Sequence, residues 1–310
     1  MINGIINVYK EQGFTSHDVV AKLRGILKQK KIGHTGTLDP DATGVLPICL
    51  GKGTKLCDLL TDKDKTYEAV MLLGKKTDTQ DTSGTVLSCT PALYGEDAIR
   101  RVIASYVGDI MQVPPMYSAL KVNGKKLYEL AREGIEVERK ARPIKIFSID
   151  VLEITPVTEV HYQTQEVIDM IEVRMKVHCS KGTYIRTLCN DIGETLGCGG
   201  CMKQLIRTQV ANFNIEDSLT LAGIEQMVKE ETIDSAIVSV DSMFPNAPKV
   251  TILEEFCKFI YNGNSFTKKH LKDKIDTNNL NTVRVYDYKG AFAGLYEYDH
   301  EKHYFKVVKM

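Results

Sequence analysis

The run Gly33-His34-Thr35-Gly36-Thr37-Leu38-Asp39-Pro40-Asp41-Ala42-Thr43-Gly44-Val45-Leu46-Pro47 constrains this chain more than any other segment. Gly33, Gly36 and Gly44 supply backbone freedom, and Pro40 fixes φ just after an acid. The residue before a proline is pushed toward extended conformations, so Asp39 is expected on a tight loop and not inside a helix. A rigidly presented acid on a loop is how many enzymes place a catalytic group. The alternative is a turn in which Asp39 caps its own backbone.

The surrounding pattern mixes helices and strands without a regular βα repeat. Ser16-His17-Asp18 reads as a helix start, followed by Val19, Val20, Leu23, Ile26 and Leu27 at helical spacing. Lys22, Lys28 and Lys30 fall on the opposite face of that expected helix. Thr66 to Leu73 reads as a strand, and Ile99, Val102, Ile103 and Tyr106 mark a helix closed by Gly108. Ile171, Val173, Met175, Val177 and Cys179 alternate with Glu172, Arg174, Lys176 and His178, the signature of a half-buried strand. Leu188, Ile192 and Leu196 continue as a helix stopped by Gly197. The pattern predicts an α+β fold, a mixed, largely antiparallel sheet flanked by helices. The segment 114–143 is polar and basic, with Gly124 and Gly134, and is expected to project from the sheet as an insertion. Pro245-Asn246-Ala247-Pro248 marks a linker between residues 1–245 and a C-terminal module at 249–310. In that module a short helix is expected from Ile252 to Gly263, then three strands at 283–288, 291–298 and 304–308.

With 310 residues, 43% hydrophobic and 26% charged, the chain has room for a large domain and a small appendage. No apolar run reaches the roughly 18 residues of a membrane span, and the N-terminus lacks the pattern of a signal peptide. A cytoplasmic location without membrane contact is expected. The eight cysteines then read as buried thiols. Cys198-Gly199-Gly200-Cys201 invites a zinc or redox reading, but no second Cys-x-x-Cys supplies the remaining ligands, so no metal is expected.

Formal net charge is zero, which is unfriendly to RNA binding taken by itself. The sum conceals segregation. Lys22, Arg24, Lys28, Lys30 and Lys31 form a stretch free of acids. Between Tyr117 and Lys145, eight basic residues, among them Lys121, Lys125, Lys126 and Arg132, face four acidic ones. Tyr117 and Tyr128 are interleaved with them, a composition suited to nucleic acid.

The Asp39 run resembles the active-site loop of the TruB family, the bacterial tRNA pseudouridine-55 synthases. Lys65-Thr66-Tyr67, Thr77-Asp78-Thr79-Gln80-Asp81, Pro115-Met116-Tyr117-Ser118-Ala119-Leu120-Lys121 and Cys179-Ser180-Lys181-Gly182-Thr183-Tyr184-Ile185-Arg186 match that family in the same order. The resemblance implies the pseudouridine synthase fold and isomerisation of the T-loop uridine at position 55 of tRNA, its base flipped out, by breaking the C1′–N1 bond and rejoining through C5. It implies that Asp39 is the catalytic acid, acting on sugar or base as nucleophile or removing the C2′ proton. It further implies that Arg186 pairs with Asp39, that Tyr67 stacks on the base, and that Tyr184, Leu205 and His34 line the pocket. Read alone, Tyr67 would be a strand residue packed on the core. Burial would drive a carboxylate toward its neutral form, and the guanidinium of Arg186 is expected to reverse that tendency.

By the same resemblance 114–143 is an RNA-gripping thumb, and 249–310 is similar to a PUA domain, with Asn262-Gly263-Asn264 and Val283-Arg284-Val285-Tyr286 carrying the likeness. Lys10, Lys22, Lys28, Lys30, Lys31, Lys121, Lys125, Lys126 and Arg132 are the expected RNA contacts. The implied partner is the T-stem-loop of tRNA, with no cofactor, no obligate protein partner and a monomeric enzyme. One departure stands out: the family opens with Lys-Pro, and this chain has Lys10-Glu11.

Overall fold

The computed structural model describes residues 1–160 and 165–309. In chain order the first part runs β1 (Gly4–Lys10), α1 (Ser16–Ile26), β2 (Ile32–His34), β3 (Thr43–Leu50), α2 (Cys57–Thr61), β4 (Lys65–Leu73), β5 (Lys75–Thr77) and β6 (Val86–Cys89). It continues through α3 (Glu96–Ala104), β7 (Gly108–Gln112), β8 (Lys121–Val122), β9 (Lys125–Lys126), α4 (Leu127–Arg132), β10 (Arg142–Val160), β11 (Val167–Cys179), α5 (Ile185–Leu196), β12 (Gly200–Val210), β13 (Phe213–Asn214) and α6 (Leu221–Lys229). The second part holds β14 (Lys249–Thr251), α7 (Cys257–Tyr261), β15 (Thr282–Tyr286), β16 (Phe292–Asp299) and β17 (Tyr304–Lys309).

A mixed sheet in the order β1-β3-β12-β4-β11-β10-β7 forms the frame, with β2 on β3 and β13 on β12. Its neighbours pair antiparallel except β3 and β12, where Ile206 lies opposite Thr43 and Arg207 opposite Gly44 in parallel. That junction joins the two halves of the sheet at the end of the Asp39 loop. The alternation along β11 places Ile171, Val173, Met175, Val177 and Cys179 in the core beneath α3 and α5, while Arg174 and Lys176 remain exposed. On the other half, Val19, Val20 and Leu23 of α1 pack with Ile6, Val8, Leu46 and Ile48. The fold is thus α+β, a mixed sheet flanked by helices with a small C-terminal β module.

Thr15 caps α1 in a capping box with Asp18, one position before the start read from the sequence. The helix ends at Ile26 because Lys28 takes a left-handed conformation (φ 50°), so Lys28, Lys30 and Lys31 lie beyond α1 and not on its outer face. Gly108 does not close α3. It opens β7 with φ 117°, and Tyr106, outside the helix, donates its hydroxyl to the Asp191 carbonyl at 2.8 Å. Gly197 does end α5, at φ 82°.

Gly44 sits at the parallel junction with φ 106°, and a Cβ there would lie 2.2 Å from the Arg207 carbonyl oxygen. Gly44→Ala is therefore expected to cost about 2–4 kcal/mol of stability, read as a lowered urea midpoint. An unchanged midpoint would show that the junction tolerates a side chain.

In the C-terminal part, β14-β15-β16-β17 form a separate sheet with its own core of Val250, Ile260, Phe266, Val283, Tyr296 and Phe305. The three expected strands are present. The short β14 adds a parallel neighbour that three residues of sequence did not signal. Arg284 donates to the carbonyls of Ala247 (2.8 Å) and Asp241 (3.4 Å), which fastens the Pro245–Pro248 connector to the module.

Candidate active site

Side-chain hydrogen bonds to backbone groups hold the Asp39 loop and its flanks. Ser16 on α1 accepts from the Leu38 amide at 2.9 Å, and Thr35 bonds the Pro47 carbonyl at 3.1 Å. Arg207, 1% exposed, donates to Val45 at 2.7 Å, Thr37 at 3.4 Å and Gly36 at 3.5 Å. Fully buried Lys10 gives its ammonium to the carbonyls of Glu11, Pro40 and Ala42 at 3.1, 3.0 and 2.5 Å. Lys10 and Arg207 thereby serve the carbonyls of Gly36, Thr37, Pro40 and Ala42, which lie outside any helix or strand.

Lys10 is the clearest correction. It was expected among the RNA contacts, but it has no exposed surface, and burial pulls its ammonium down to about 8. It clamps the loop, and the carbonyl of Glu11, which stands where the family has proline, is one of its acceptors. Lys10→Met should slow turnover roughly tenfold to a hundredfold through a loosened loop, while the salt dependence of binding to the expected RNA partner stays unchanged. A flatter salt slope would return Lys10 to the RNA surface.

Arg186 is the second residue of α5, following Tyr184 at the helix cap. A cation at a helix N-terminus is unfavourable, and its neighbours explain why it is there. Its Nε lies 3.0 Å from Asp39 Oδ2 and its Nη2 3.3 Å from Oδ1, a fork on the carboxylate. The remaining donors reach the Thr79 carbonyl (3.1 Å), the Tyr117 carbonyl (2.7 Å) and Asp81 (3.6 Å). The side chain of Arg186 is 6% exposed and that of Asp39 is 38% exposed, so the acid keeps an open face above a buried partner.

Burial pushes the Asp39 carboxyl above its ordinary value, and Asp81 adds to the rise. Arg186 and Lys10 pull it down without cancelling the effect. The expectation that the guanidinium reverses the burial penalty is thus met only in part, because two carboxylates share one guanidinium.

Tyr67 and Leu205, each 7% exposed, belong to one apolar cluster with Leu38 and Ala42 on either side of Asp39. Tyr67 lies opposite Arg207 in the β4–β12 pairing, and burial raises its hydroxyl to about 12. Tyr184 is clasped through its backbone by Gln112, whose amide accepts from its N–H at 2.8 Å and donates to its carbonyl at 3.1 Å. Burial raises its hydroxyl as well. His34 accepts from the Gly36 amide through Nδ1 at 3.3 Å, which leaves the proton of the neutral ring on Nε2, and meets the edge of His17 at 5.2 Å. Burial holds His34 below the usual imidazole value.

In the 114–143 segment, Asn123 (φ 51°) and Gly124 (φ 84°) turn β8 into β9, setting Lys121 opposite Lys126. The ammonium of Lys126 and the guanidinium of Arg132 lie over the Tyr128 ring at 5.2 and 5.4 Å. Lys125 pairs with Glu133 at 3.6 Å on the surface. Lys22 lies over the Phe14 ring at 4.9 Å. The segment is less detached than its composition suggested, for Leu127 and Leu130 are buried.

Sequence reading singled out neither Asp81, Gln112 nor Arg207. Asp81 stood inside a quoted motif, and its neighbours Thr79 and Ser83, whose hydroxyls bond it at 2.7 and 2.6 Å, mark a side chain held in place. Arg207, flanked by Lys203, Gln204, Thr208 and Gln209, carried no local signal of its burial. Among the described residues no group of three His, Cys, Asp or Glu could hold a metal ion, and no helix is long and apolar enough to cross a membrane.

Residues 24–185 match the family described as TruB family pseudouridylate synthase (N terminal domain), and 186–245 match the tRNA pseudouridylate synthase B C-terminal domain. The chain is 56% identical to tRNA pseudouridine synthase B of Lachnoclostridium phytofermentans, covering 100% of this chain and 99% of that one. It is 44% identical to the same-named protein of Clostridium acetobutylicum over 100% and 99%. Among solved structures it is similar to an H/ACA RNP bound to a substrate RNA containing 2′-deoxyuridine, at TM-score 0.68 and 26% identity over 99% of this chain and 84% of that chain. A Cbf5-Nop10-Gar1 complex aligns at TM-score 0.67 and 30% identity, over 95% and 78%. A loop acid forked by a buried arginine, on this sheet and with relatives of this identity, places the chain in the TruB family of tRNA pseudouridine synthases, isomerases that convert uridine to pseudouridine in tRNA.

Proposed function

We propose that the chain acts on the T-loop uridine at position 55 of tRNA, with Asp39 as the catalytic acid. The observation that carries this reading is the fork of Arg186 on the half-open Asp39 carboxylate, beside the apolar cluster of Tyr67 and Leu205. The uridine flips out of the T-arm, a cost of a few kcal/mol offset by phosphate contacts. Ionised Asp39 attacks the sugar or base, or takes the C2′ proton. The C1′–N1 bond breaks, the base turns, and a C1′–C5 bond forms as the C5 proton leaves and N1 regains one. Tyr67 offers a face that suits uracil in any orientation, and such stacking contributes about 1–3 kcal/mol per base. Tyr184, Leu205 and His34 bound the pocket.

Residues 1–245 serve as the catalytic domain, 114–143 as the thumb on the RNA and 249–310 as a PUA-like module that extends the grip. Lys22, Lys28, Lys30, Lys31, Lys121, Lys125, Lys126 and Arg132 are the phosphate contacts. Their support is exposure, partial for Lys126, together with the two cations over the Tyr128 ring. The enzyme works as a monomer, and it works in the cytoplasm, where its eight cysteines stay reduced.

Tritium release from tRNA carrying 5-³H-uridine tests the assignment. Release should require uridine at position 55, vanish when cytidine replaces it, and persist on an isolated T-stem-loop. Release from the cytidine-substituted transcript at the normal rate would redirect the enzyme to another uridine. Lys125→Ala with Lys126→Ala should weaken binding and reduce the slope of log affinity against log salt by roughly 1–2. An unaltered slope would remove the thumb from the phosphate contacts.

A further inference from the structure

Cys57 and Cys49 make an arrangement that the isomerisation does not use. In the β2–β3 pairing Gly33 lies directly opposite Cys49, so their Cα–Cβ directions leave the same face of the sheet. Gly33 has no side chain, and the space is taken by Cys57: a Cβ on Gly33 would lie 3.5 Å from the Cys57 Sγ. The Cys57 thiol donates to the Gly33 carbonyl at 3.7 Å. Cys49 and Cys57 therefore rise on one face of β3, within one apolar cluster that also holds Val45 and Leu60. A 3₁₀ turn over Gly51–Leu56 brings the chain back from one to the other.

The two thiols differ. Cys49 has no exposed surface, whereas Cys57 is half-buried at the start of α2. Their mutual interaction draws the Cys57 thiol below its ordinary value and pushes that of Cys49 up. The half-buried sulfur can meet an external reagent and the buried one cannot, which is the division of labour between an attacking and a resolving cysteine.

We propose that Cys49 and Cys57 form a reversible disulfide with a low-molecular-weight disulfide as oxidant, and that this modification slows the enzyme through the base of the Asp39 loop. The Cys57 thiolate attacks the external disulfide, giving a mixed disulfide and releasing one thiolate. The Cys49 thiolate then attacks the Cys57 sulfur, closing the protein disulfide and releasing the second. Two protein thiols lose two electrons and two protons, and the oxidant leaves as two thiols. Bond formation draws the Cys57 sulfur from Gly33 toward Cys49. β2 and β3 are the strands that enter and leave the Asp39 loop, so a shift there is transmitted to the carboxylate. Only the rate effect rests on the catalytic reading of Asp39.

The reduced full-length protein, incubated with oxidised glutathione, should yield a peptide linking Cys49 to Cys57, reversed by dithiothreitol. Cys49→Ser should stop at a glutathionylated Cys57, and Cys57→Ser should leave Cys49 reduced. The single-turnover rate on tRNA should fall roughly tenfold to a hundredfold on oxidation of the native enzyme, recover on reduction, and be indifferent to oxidant in Cys57→Ser. Full alkylation of both thiols after oxidation, or linkage to other cysteines, overturns the site. A mapped Cys49–Cys57 disulfide with an unchanged rate overturns the regulation, and loss of activity that Cys57→Ser does not prevent assigns it elsewhere. An Asp39→Asn protein that still turned over would refute the catalytic reading while the thiol mapping stood.

Discussion

Asp39→Asn is expected to lower the single-turnover rate of tritium release by about 10³-fold or more, with tRNA affinity within about tenfold of the native value. Asparagine preserves the shape of the side chain and removes its charge and basicity. It also leaves Arg186 without the anion that its Nε and Nη2 now serve. Binding depends on phosphate contacts remote from the loop, so it is largely spared. Turnover near the native rate in the variant would remove Asp39 from the chemistry.

Arg186→Lys should reduce the chemical rate by about 10²-fold and move the acidic limb of the pH–rate profile upward. The sign follows from the balance at Asp39. Burial already raises its carboxyl above the ordinary value, and Arg186 is the largest opposing influence. A lysine ammonium cannot serve both carboxylate oxygens together with the carbonyls of Thr79 and Tyr117, so the opposition weakens. The carboxyl then rises further, and a higher pH is needed to ionise it. The carbonyls that lose a donor should also cost about 1–3 kcal/mol of stability. Single-turnover rates across pH, with urea melts of the same proteins, separate the two effects. Superimposable profiles at equal rates would reduce Arg186 to a structural arginine.

Much of the frame was legible in local pattern. The alternation from Ile171 to Cys179 has a period that only a half-buried strand satisfies, and the structure buries those residues. Helix α5 could be read because Leu188, Ile192 and Gly197 carry periodicity and a stop within a few residues. Local signals also failed where two of them compete. Gly108 resembles a helix stop, but a glycine at φ 117° serves equally to start a strand, and three residues of turn separate it from the helix. The extent of α1 was overread because lysine is a good helix former, so nothing local announced that Lys28 would turn left-handed.

The tight loop at Asp39 is a local property, since Pro40 and the neighbouring glycines act on their own backbone and need no partner. The order of elements is equally local, because hydrophobic period belongs to contiguous residues. What surrounds the acid comes from distant segments brought together by the fold. Arg186 reaches Asp39 from 147 positions away, and Arg207 reaches the Val45 carbonyl from 162. Both encounters depend on the β4–β12 register and on the parallel contact of β3 with β12, which no local pattern encodes. Lys10 shows the same limit: its charge reads as a surface contact until the closed loop brings three carbonyls to its ammonium and buries it. Local propensity acts over a few residues, whereas burial and electrostatic partnership are set by which distant segments pack together.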